Sequence, residues 1–545
     1  MVDWINFKKP QRYLDGEWNV VKKNPKGKIK VCLCYPSFYE VGMSNLGIRI
    51  VYALLNSFSD IVCERVFMPD TDYFSYLKSK KKKLCSLESS LPLKDFDVIG
   101  FNLSYELNYI NVLAILDLGG VCVYASERKD IIVVGGGIAN PESMADFIDV
   151  FILGEFEEIA EDFVEIMRRY KRKEERLKAF SEREGFYVPS FYNVYTKGVN
   201  YVVEKNYRYA RYPLSRVYVS NLNNIFFPIK WLTPHTRIVH DRVQVEIARG
   251  CPNQCFFCQA RCLYFPYRER KPQIVYDLIR KIYENSGYEN FSLLALSASD
   301  YSSIEELITE LTPYLNKHRI GISLPSLRVE DIVVGKLCTL LNKIKKVSVT
   351  FAIEAATESL RRRINKKVDI NKIIEAANIL RKLHYRHIKL YFMFGLPYED
   401  YEDLKAIGVF VKNLRNDCHM NIHLSINIFV PKPFSYFENI EMEKESELLK
   451  KKKFILADIL RIPGVKISIS NVKKSILEAI ISRGDRRLSS VIYSVFKKKI
   501  ICGFYEERTD FKLWESSFKE NNIDYYDYFI KRDVYSWSHT GSLKK

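Results

Sequence analysis

From Ile29 onward, short apolar runs alternate with amphipathic stretches: IKVCLCYP, the helical GMSNLGIRIVYALLNSF, IVCERVF, a break, FDVIGFNLS, a further helix and IIVVGGG. Strands that are apolar throughout are buried on both faces, so the pattern predicts a parallel sheet with helices on each side. VFILGEFEEIAEDFVEIMRRY closes this rhythm as a strand followed by a helix with apolar positions near every third or fourth residue. The first domain is therefore placed at residues 28–172, after an N-terminal extension at residues 1–27. Residues 173–240 lose the rhythm, are rich in Tyr and Arg, and carry Pro189, Pro213, Pro228 and Pro234; they read as short extended segments linking two domains. A second alternation follows, with VQVEIARGC, FSLLALS, IGISLPS, VSVTFAIE, HIKLYFMFGLP and HLSINIFVPKP as six strands and a helix in each interval. That spacing suits right-handed crossover units, and six are too few to close an eight-stranded barrel, so a partial barrel is expected over residues 241–440. Residues 441–545 turn charged and helical, then end in an aromatic-rich tail. The overall expectation is an α/β chain with a mainly helical C-terminal region.

Length agrees with several cores, since 545 residues exceed what one core ordinarily supports. Lys and Arg number 84 against 66 Asp and Glu, a formal net charge of +18, which favours polyanionic partners such as nucleic acid. Part of this excess sits in runs such as KSKKKK at residues 78–83, and such runs are ordinarily solvated. Twelve cysteines in a chain of this size, opening MVDWINFKKPQRYLDGEW, point to a reducing cytoplasm rather than a disulfide framework. No apolar run approaches the roughly 20 residues needed to cross a bilayer, so no membrane association is expected.

The chemistry concentrates in CPNQCFFCQARC, which follows the first strand of the second set and so lies on the barrel's reactive face. Cys251, Cys255 and Cys258 are spaced x3 and x2, which lets three thiolates in a tight loop converge on one iron–sulfur cubane. A zinc site is the alternative, but paired Cys-x2-Cys units or nearby histidines would be expected for it.

With Phe257 just before the third cysteine, this motif resembles the signature of the radical S-adenosylmethionine (SAM) superfamily. The resemblance implies that the three cysteines hold three irons of a 4Fe-4S cluster, that the fourth iron takes the amino and carboxylate groups of SAM, and that one-electron cleavage yields a 5′-deoxyadenosyl radical. It further implies SAM contacts at Ser297 and Ser299, with Asp300, where the superfamily's usual Gly-Gly-Glu is absent. Glu354 matches a cofactor-contacting Glu, with Arg361 to Arg363 and Lys366 on the next helix, and Gly395 and Pro397 of GLP match the strand end near the adenine. Cys262 falls where the family reserves no cysteine and is read as a buried or spare thiol.

KPQRYLDGEWN, YPSFYEVGMSNLGIRI, LPLKDFDVIGF, SLLALSASDYSSIEELI, SLPSLRV, KLYFMFGLPYED and RGDRRL together resemble a family of radical SAM proteins with a cobalamin-binding domain (class B-like), nearly to the end of the chain. This implies a Rossmann/flavodoxin-like cobalamin-binding-type domain before a partial (β/α)6 radical SAM barrel. Cobalamin would contact Tyr35 to Gly42, Ser104, Tyr105 and Gly135, Gly136 and Gly137, and Gly154-Glu155 also match the family. The Asp-x-His-x-x-Gly motif that supplies a cobalt ligand elsewhere is missing, and no histidine precedes His235, so either cobalt is bound without a protein imidazole or the domain has lost cobalamin. The implied function is cobalamin-dependent methylation of an unactivated carbon, on RNA or a ribosome-associated substrate, with a flavodoxin or ferredoxin as reductant. Two other readings stand beside it: a radical methylthiotransferase, for which Cys32, Cys34, Cys63, Cys85 and Cys122 offer thiols, and a non-catalytic Fe-S protein that binds RNA or assists assembly.

Overall fold

A computed structural model describes residues 4–325, 328–333, 349–498 and 510–541. The string SLPSLRV thus lies partly outside the described residues. The chain forms two compact units, one of Met1–Val219, Asn224–Asp241 and Ile480–Lys545, the other of Ser220–Asn223 and Arg242–Ala479.

The first unit is built on a six-stranded sheet of β1 (Ile29–Tyr35), β2 (Ile61–Phe67), β3 (Val98–Asn102), β4 (Ile132–Gly136), β5 (Val150–Ile152) and β6 (Phe186–Tyr187), in the order β2-β1-β3-β4-β5-β6. All pairs are parallel except β5 with β6. The continuous apolar runs are buried as double-sided strands should be; every residue of β2 is buried, including Glu64 and Arg65. The order reverses between β1 and β3, the switch point at whose carboxyl ends ligands bind in doubly wound sheets. Helix Leu46–Ser57 starts where the Asn45 side chain accepts the Ile48 N–H at 3.1 Å. Helix Phe156–Arg169 buries Ile159, Ala160, Phe163, Val164, Ile166 and Met167, and carries Glu157 and Glu158 in its first turn and Arg168 and Arg169 in its last, as its dipole favours.

The segment read as a linker contributes more than extended connections. It holds helix Lys173–Ser181, the antiparallel edge strand β6, and a hairpin of β7 (Tyr192–Lys197) and β8 (Asn200–Lys205). It also returns to the sheet at Val217, which bridges Gly154. Gly154 has φ +112°, and a Cβ there would overlap the Val217 carbonyl oxygen and stand 2.7 Å from its nitrogen. Gly154→Ala is expected to destabilise the chain by about 3 kcal/mol, from forbidden backbone geometry plus displacement of a backbone strand, read as a lowered urea midpoint.

The second unit contains the six expected strands. β9 (Val243–Glu246), β12 (Asn290–Leu294) and β13 (Gly321–Ser323) pair in parallel, as do β14 (Val349–Glu354), β15 (His387–Phe394) and β16 (Asn421–Ile428). Between β9 and β12 the short β10 (Ala248–Arg249) and β11 (Arg268–Glu269) pair antiparallel. A seventh parallel strand, β17 (Val465–Ile469), extends the β14-β15-β16 sheet from within the region expected to be mainly helical. Its KISIS sequence alternates apolar and polar residues, the sign of a half-buried strand, as NIHLSINI of the adjacent β16 also does. Residues 441–545 therefore divide: Ile480–Lys545 cluster with the N-terminal sheet, and the residues before them with the barrel.

Candidate active site

The cysteine loop is closed at its base by the β10–β11 pair, where the chain doubles back on itself. Gly250 stands at φ +85°, and a Cβ there would come within 2.6 Å of Tyr264 O and 2.7 Å of Pro266 O. Only glycine tolerates that approach of backbone to backbone. Within the loop, Cys258 N–H donates to Cys255 O at 3.2 Å, and Cys258 starts the short helix Gln259–Leu263. Neighbouring loops fix the turn from outside: Phe256 N–H donates to Ile364 O at 3.1 Å, Phe437 N–H to Phe256 O at 3.2 Å, and Asn365 Nδ2 to Gln254 O at 2.7 Å.

Cys251, Cys255 and Cys258 all line one cavity of ≈ 780 Å³, together with Phe257, Ser297, Glu354 and Lys366. Burial pushes the Cys255 thiol up to about 11, against the opposing pull of Lys366. Cys258 is likewise raised by burial, with the Arg261 and Ala260 N–H groups and Lys366 acting the other way. Among the described residues no three His, Cys, Asp or Glu side chains converge on a point that one ion would fill. A cubane asks for less, since each thiolate meets a different iron. Three thiols on one wall beside a lysine and an aromatic ring therefore fit a cluster that leaves one corner for another ligand. Cys262 is outside this lining, and its thiol interacts with Arg261, whose guanidinium lies 4.8 Å from the centre of the Tyr436 ring.

Phe257 also packs against a small apolar cluster of Ala355, Leu360, Ile364, Leu396, Phe429 and Phe437. Ser297 is buried and faces the cavity at the end of β12. Ser299 does not line it; its Oγ accepts the Arg328 N–H at 2.7 Å. Asp300 takes Arg328 Nη1 at 2.8 Å and Asn253 Nδ2 at 2.7 Å, which ties the loop after β12 to the cysteine loop. Asn253 and Arg328 both line the cavity, as do Arg242 and Lys367. Sequence reasoning passed over all four, although Asn253 stands between the cysteines and Arg328 within SLPSLRV.

Glu354 ends β14 at φ +70°, where the β14–β15 register shifts. A non-glycine residue in this conformation carries strain of about 1–3 kcal/mol, of the kind concentrated at ligand sites. Its carboxylate is 3.9 Å from Lys366 Nζ; burial raises its pKa and Lys366 lowers it. The arginines beside it do structural work: Arg361 Nη1 donates to Ala355 O and Ala356 O at 3.0 and 2.8 Å, and Arg363 Nη1 to Tyr398 O at 3.2 Å. Gly395 and Pro397 are outside the cavity lining. Gly395 has φ +75°, donates its N–H to Glu399 Oε1 at 2.9 Å, and would place a Cβ 2.8 Å from Leu448. Glu399 itself is buried and pushed up to about 7 by that burial, with Lys451 at 3.0 Å opposing.

In the first unit, Tyr35 is buried at the end of β1. The glycines there have separate causes. Gly42 admits the Phe67 ring, which a Cβ would overlap, and Gly135 admits Leu103 at 2.7 Å. Gly136 has only Ile152 nearby, at 3.7 Å, and Gly137 at φ +78° has nothing closer than Asn102 Oδ1 at 3.7 Å. Ser104 is exposed and Tyr105 half-buried after β3, with Ser104 N–H on Asn102 Oδ1 at 3.3 Å. Open backbone therefore lies at the ends of β3 and β4, beside the switch point. Glu155 Oε2 accepts the Val219 N–H at 2.9 Å and secures the returning segment.

Two family models match: "Radical SAM proteins, N-terminal" over residues 47–189 and "Radical SAM superfamily" over residues 245–411. The chain is 27% identical over 483 residues to an uncharacterized protein of Methanocaldococcus jannaschii, covering 88% of this chain and 94% of the relative. It is 27% identical over 183 residues to the ribosomal protein uS12 methylthiotransferase RimO of a Thermoanaerobacter species, covering 31% of this chain and 40% of that protein. Among solved structures it is similar to the radical SAM methyltransferase TsrM of Kitasatospora setae with cobalamin and a [4Fe-4S] cluster bound, at TM-score 0.48 and 13% identity over 73% of this chain and 75% of that one. It is also similar to the cobalamin-dependent SAM radical enzyme OxsB, at TM-score 0.48 and 12% identity over 92% and 72%.

Proposed function

The chain belongs to the radical SAM superfamily, and from that premise we propose that it is a cobalamin-dependent methyltransferase acting on an unactivated carbon of RNA or a ribosome-associated substrate. One observation carries the enzymatic part: three cysteines line the same cavity as Ser297 and Glu354 while the fourth is turned to other partners. A bound cluster with SAM supplies one-electron cleavage to a carbon radical, and cobalamin supplies methyl transfer to a carbon that polar chemistry does not reach. The residues' part is to bind, orient and exclude water. Cys251, Cys255 and Cys258 would hold the cluster, with Phe257 and the apolar cluster behind it keeping water from its protein-facing side. Glu354, fixed by Lys366, presents an acceptor for the cofactor's polar groups, and Ser297 an additional hydroxyl.

Ser104, Tyr105 and Gly137 would hold the corrinoid through open backbone at the switch point, with no imidazole offered to cobalt from the N-terminal sheet's own strands and loops. The +18 charge supports a polyanionic substrate. Superfamily enzymes need a reductant; we assign this to a flavodoxin- or ferredoxin-type partner in the cytoplasm. No helix among the described residues is long and apolar enough to cross a membrane.

Anaerobic purification with cobalamin supplied should give bound corrinoid, about four irons per chain and SAM-dependent 5′-deoxyadenosine. Absence of both corrinoid and 5′-deoxyadenosine overturns the proposal. About eight irons would instead signal a second cluster, as in a methylthiotransferase. The thiols of the first sheet do not favour that outcome: Cys32, Cys34 and Cys63 are fully buried within strands, and burial drives Cys32 and Cys63 far above the usual thiol range.

A further inference from the structure

The β15, β16 and β17 strands depart from what a parallel sheet with two covered faces requires. On one face stand Ile388, Leu390, Phe392, Phe394, Ile422, Leu424 and Ile426, all fully buried or nearly so. The other face is polar and only partly covered: Lys389 and Tyr391 on β15, His423 and Ser425 on β16, Lys466 and Ser468 on β17. In-register residues of a parallel pair point to the same side. Lys389 pairs with His423 and His423 with Lys466, and the next row is Tyr391, Ser425 and Ser468. Tyr391 lines the site cavity, as do Thr350 and Ala352, which pair with Lys389 and Tyr391. The two polar rows therefore continue the cavity's own wall.

The first row sets two ammonium groups on either side of an imidazole, with flanking strands roughly 10 Å apart. Neither Lys389 nor Lys466 pairs with a carboxylate among the described residues; Lys389 Nζ rests 4.6 Å from the centre of the Tyr391 ring. His423 Nε2 is 2.9 Å from Ser468 Oγ. Burial, Lys389 and Lys466 all lower the His423 pKa, so the ring stays neutral, with one nitrogen a donor and the other an acceptor, rather than adding a third cation. Like charges gathered without a counter-charge on a sheet face beside the cavity cost stability unless an anion completes them. Separated point charges joined by hydroxyls suit a group with several oxygens in three dimensions, whereas a planar carboxylate is better served by an arginine fork.

We propose that the Lys389–His423–Lys466 row, with Ser425 and Ser468, binds a phosphoryl group of the substrate. This rests on the reading of the cavity as the radical SAM site and names the substrate's chemical class. Glu354 pairs at the level of Phe392, three residues along β15 from Lys389, so a phosphoryl group held at the row leaves on the order of 10 Å for the part that must reach the cofactor.

Equilibrium dialysis of the anaerobically purified full chain against inorganic phosphate, in constant chloride, tests this directly. The double variant Lys389→Met and Lys466→Met should weaken phosphate binding about tenfold or more, with iron content and circular dichroism unchanged as evidence of folding; Lys389→Arg with Lys466→Arg should restore most of it. Displacement of bound phosphate by a single-stranded RNA oligonucleotide assigns the group to an RNA backbone, and displacement by a mononucleotide alone assigns it to a small phosphate ester. Equal phosphate binding by wild type and the methionine double variant, or none by wild type, overturns the proposal. Phosphate binding needs no radical, so a protein that binds phosphate but yields neither corrinoid nor 5′-deoxyadenosine would sink the methyltransferase reading alone.

Discussion

Cys255→Ala is expected to reduce reconstituted iron from about four per chain to background and to abolish SAM-dependent 5′-deoxyadenosine formation, whereas Cys262→Ala leaves both near wild type. The two cysteines lie seven residues apart in one loop, so the contrast separates a ligand from a bystander without changing the region probed. Cys255 is held between Gln254, whose carbonyl takes Asn365, and Phe256, whose N–H and C=O are both bonded to other loops. Its side chain is thereby fixed on the cavity wall together with Cys251 and Cys258. Its burial raises the thiol to about 11, so the free protein keeps it protonated at neutral pH, and binding of a cationic cluster would have to draw off that proton with Lys366 assisting. Cys262 sits one helical turn beyond Cys258, outside the cavity and in contact with Arg261. The measurement is iron and sulfide analysis after anaerobic reconstitution, followed by chromatography of the cleavage products. Loss of cleavage in Cys262→Ala with retention in Cys255→Ala would reverse the assignment.

The sequence made the parallel strands legible because a double-sided strand is apolar throughout: IKVCLCY, IVCERVF and FDVIGFN carry their own signal. β17 was missed because its five residues lie between charged helices that dominate the composition, although KISIS alternates as β16 does. The cysteine loop was legible from spacing, since a short loop encodes its own geometry. Glu354 and Ser297 were legible only through their place at strand ends. Arg242, Asn253, Arg328 and Lys367 were not, because what brings them to one cavity is the crossing of distant loops. Gly42 and Gly135 show the opposite limit: a glycine at a strand end reads as room for a ligand, yet in each the room is taken by a side chain of the same unit, Phe67 and Leu103. The return of Ile480–Lys545 to the first sheet had no local signal at all, beyond the unexplained string RGDRRL.

That string supplies the remaining prediction. Arg486→Ala is expected to destabilise the first unit by about 3–5 kcal/mol, because it leaves a carboxylate buried without its main counter-charge. Glu142, in the loop after β4, is fully buried; Arg486 Nε lies 3.1 Å from its Oε2, the Tyr187 hydroxyl donates to its Oε1, and His539 Nε2 stands 3.4 Å away. Arg486 Nη1 also donates to Tyr192 O at 2.9 Å, while Asn140 Nδ2 reaches Gly484 O at 2.7 Å. Asp485 takes the hydroxyls of Tyr201 at 2.5 Å and Tyr528 at 3.2 Å. RGDRRL thus fastens the C-terminal segment to the loop after β4 through buried charge. Burial by itself would raise the Glu142 pKa, but Arg486, His539 and Tyr187 outweigh it and hold the group at about 2, below the ordinary 4.5. A depressed carboxyl stabilises the fold above its unfolded pKa, so this contribution, on the order of 3 kcal/mol, is complete above about pH 5 and is lost as pH falls toward 2. Thermal scans should show Arg486→Ala melting roughly 10 °C lower at pH 7, and Glu142→Gln should flatten the wild-type decline in melting temperature between about pH 5 and 3. A Glu142→Gln protein that declines with the wild-type slope would show that the acid lability arises elsewhere, while an Arg486→Ala protein as stable as wild type would mean that the C-terminal segment is held by its apolar contacts, with Trp537 and Phe529 buried among them, and not by this ion pair.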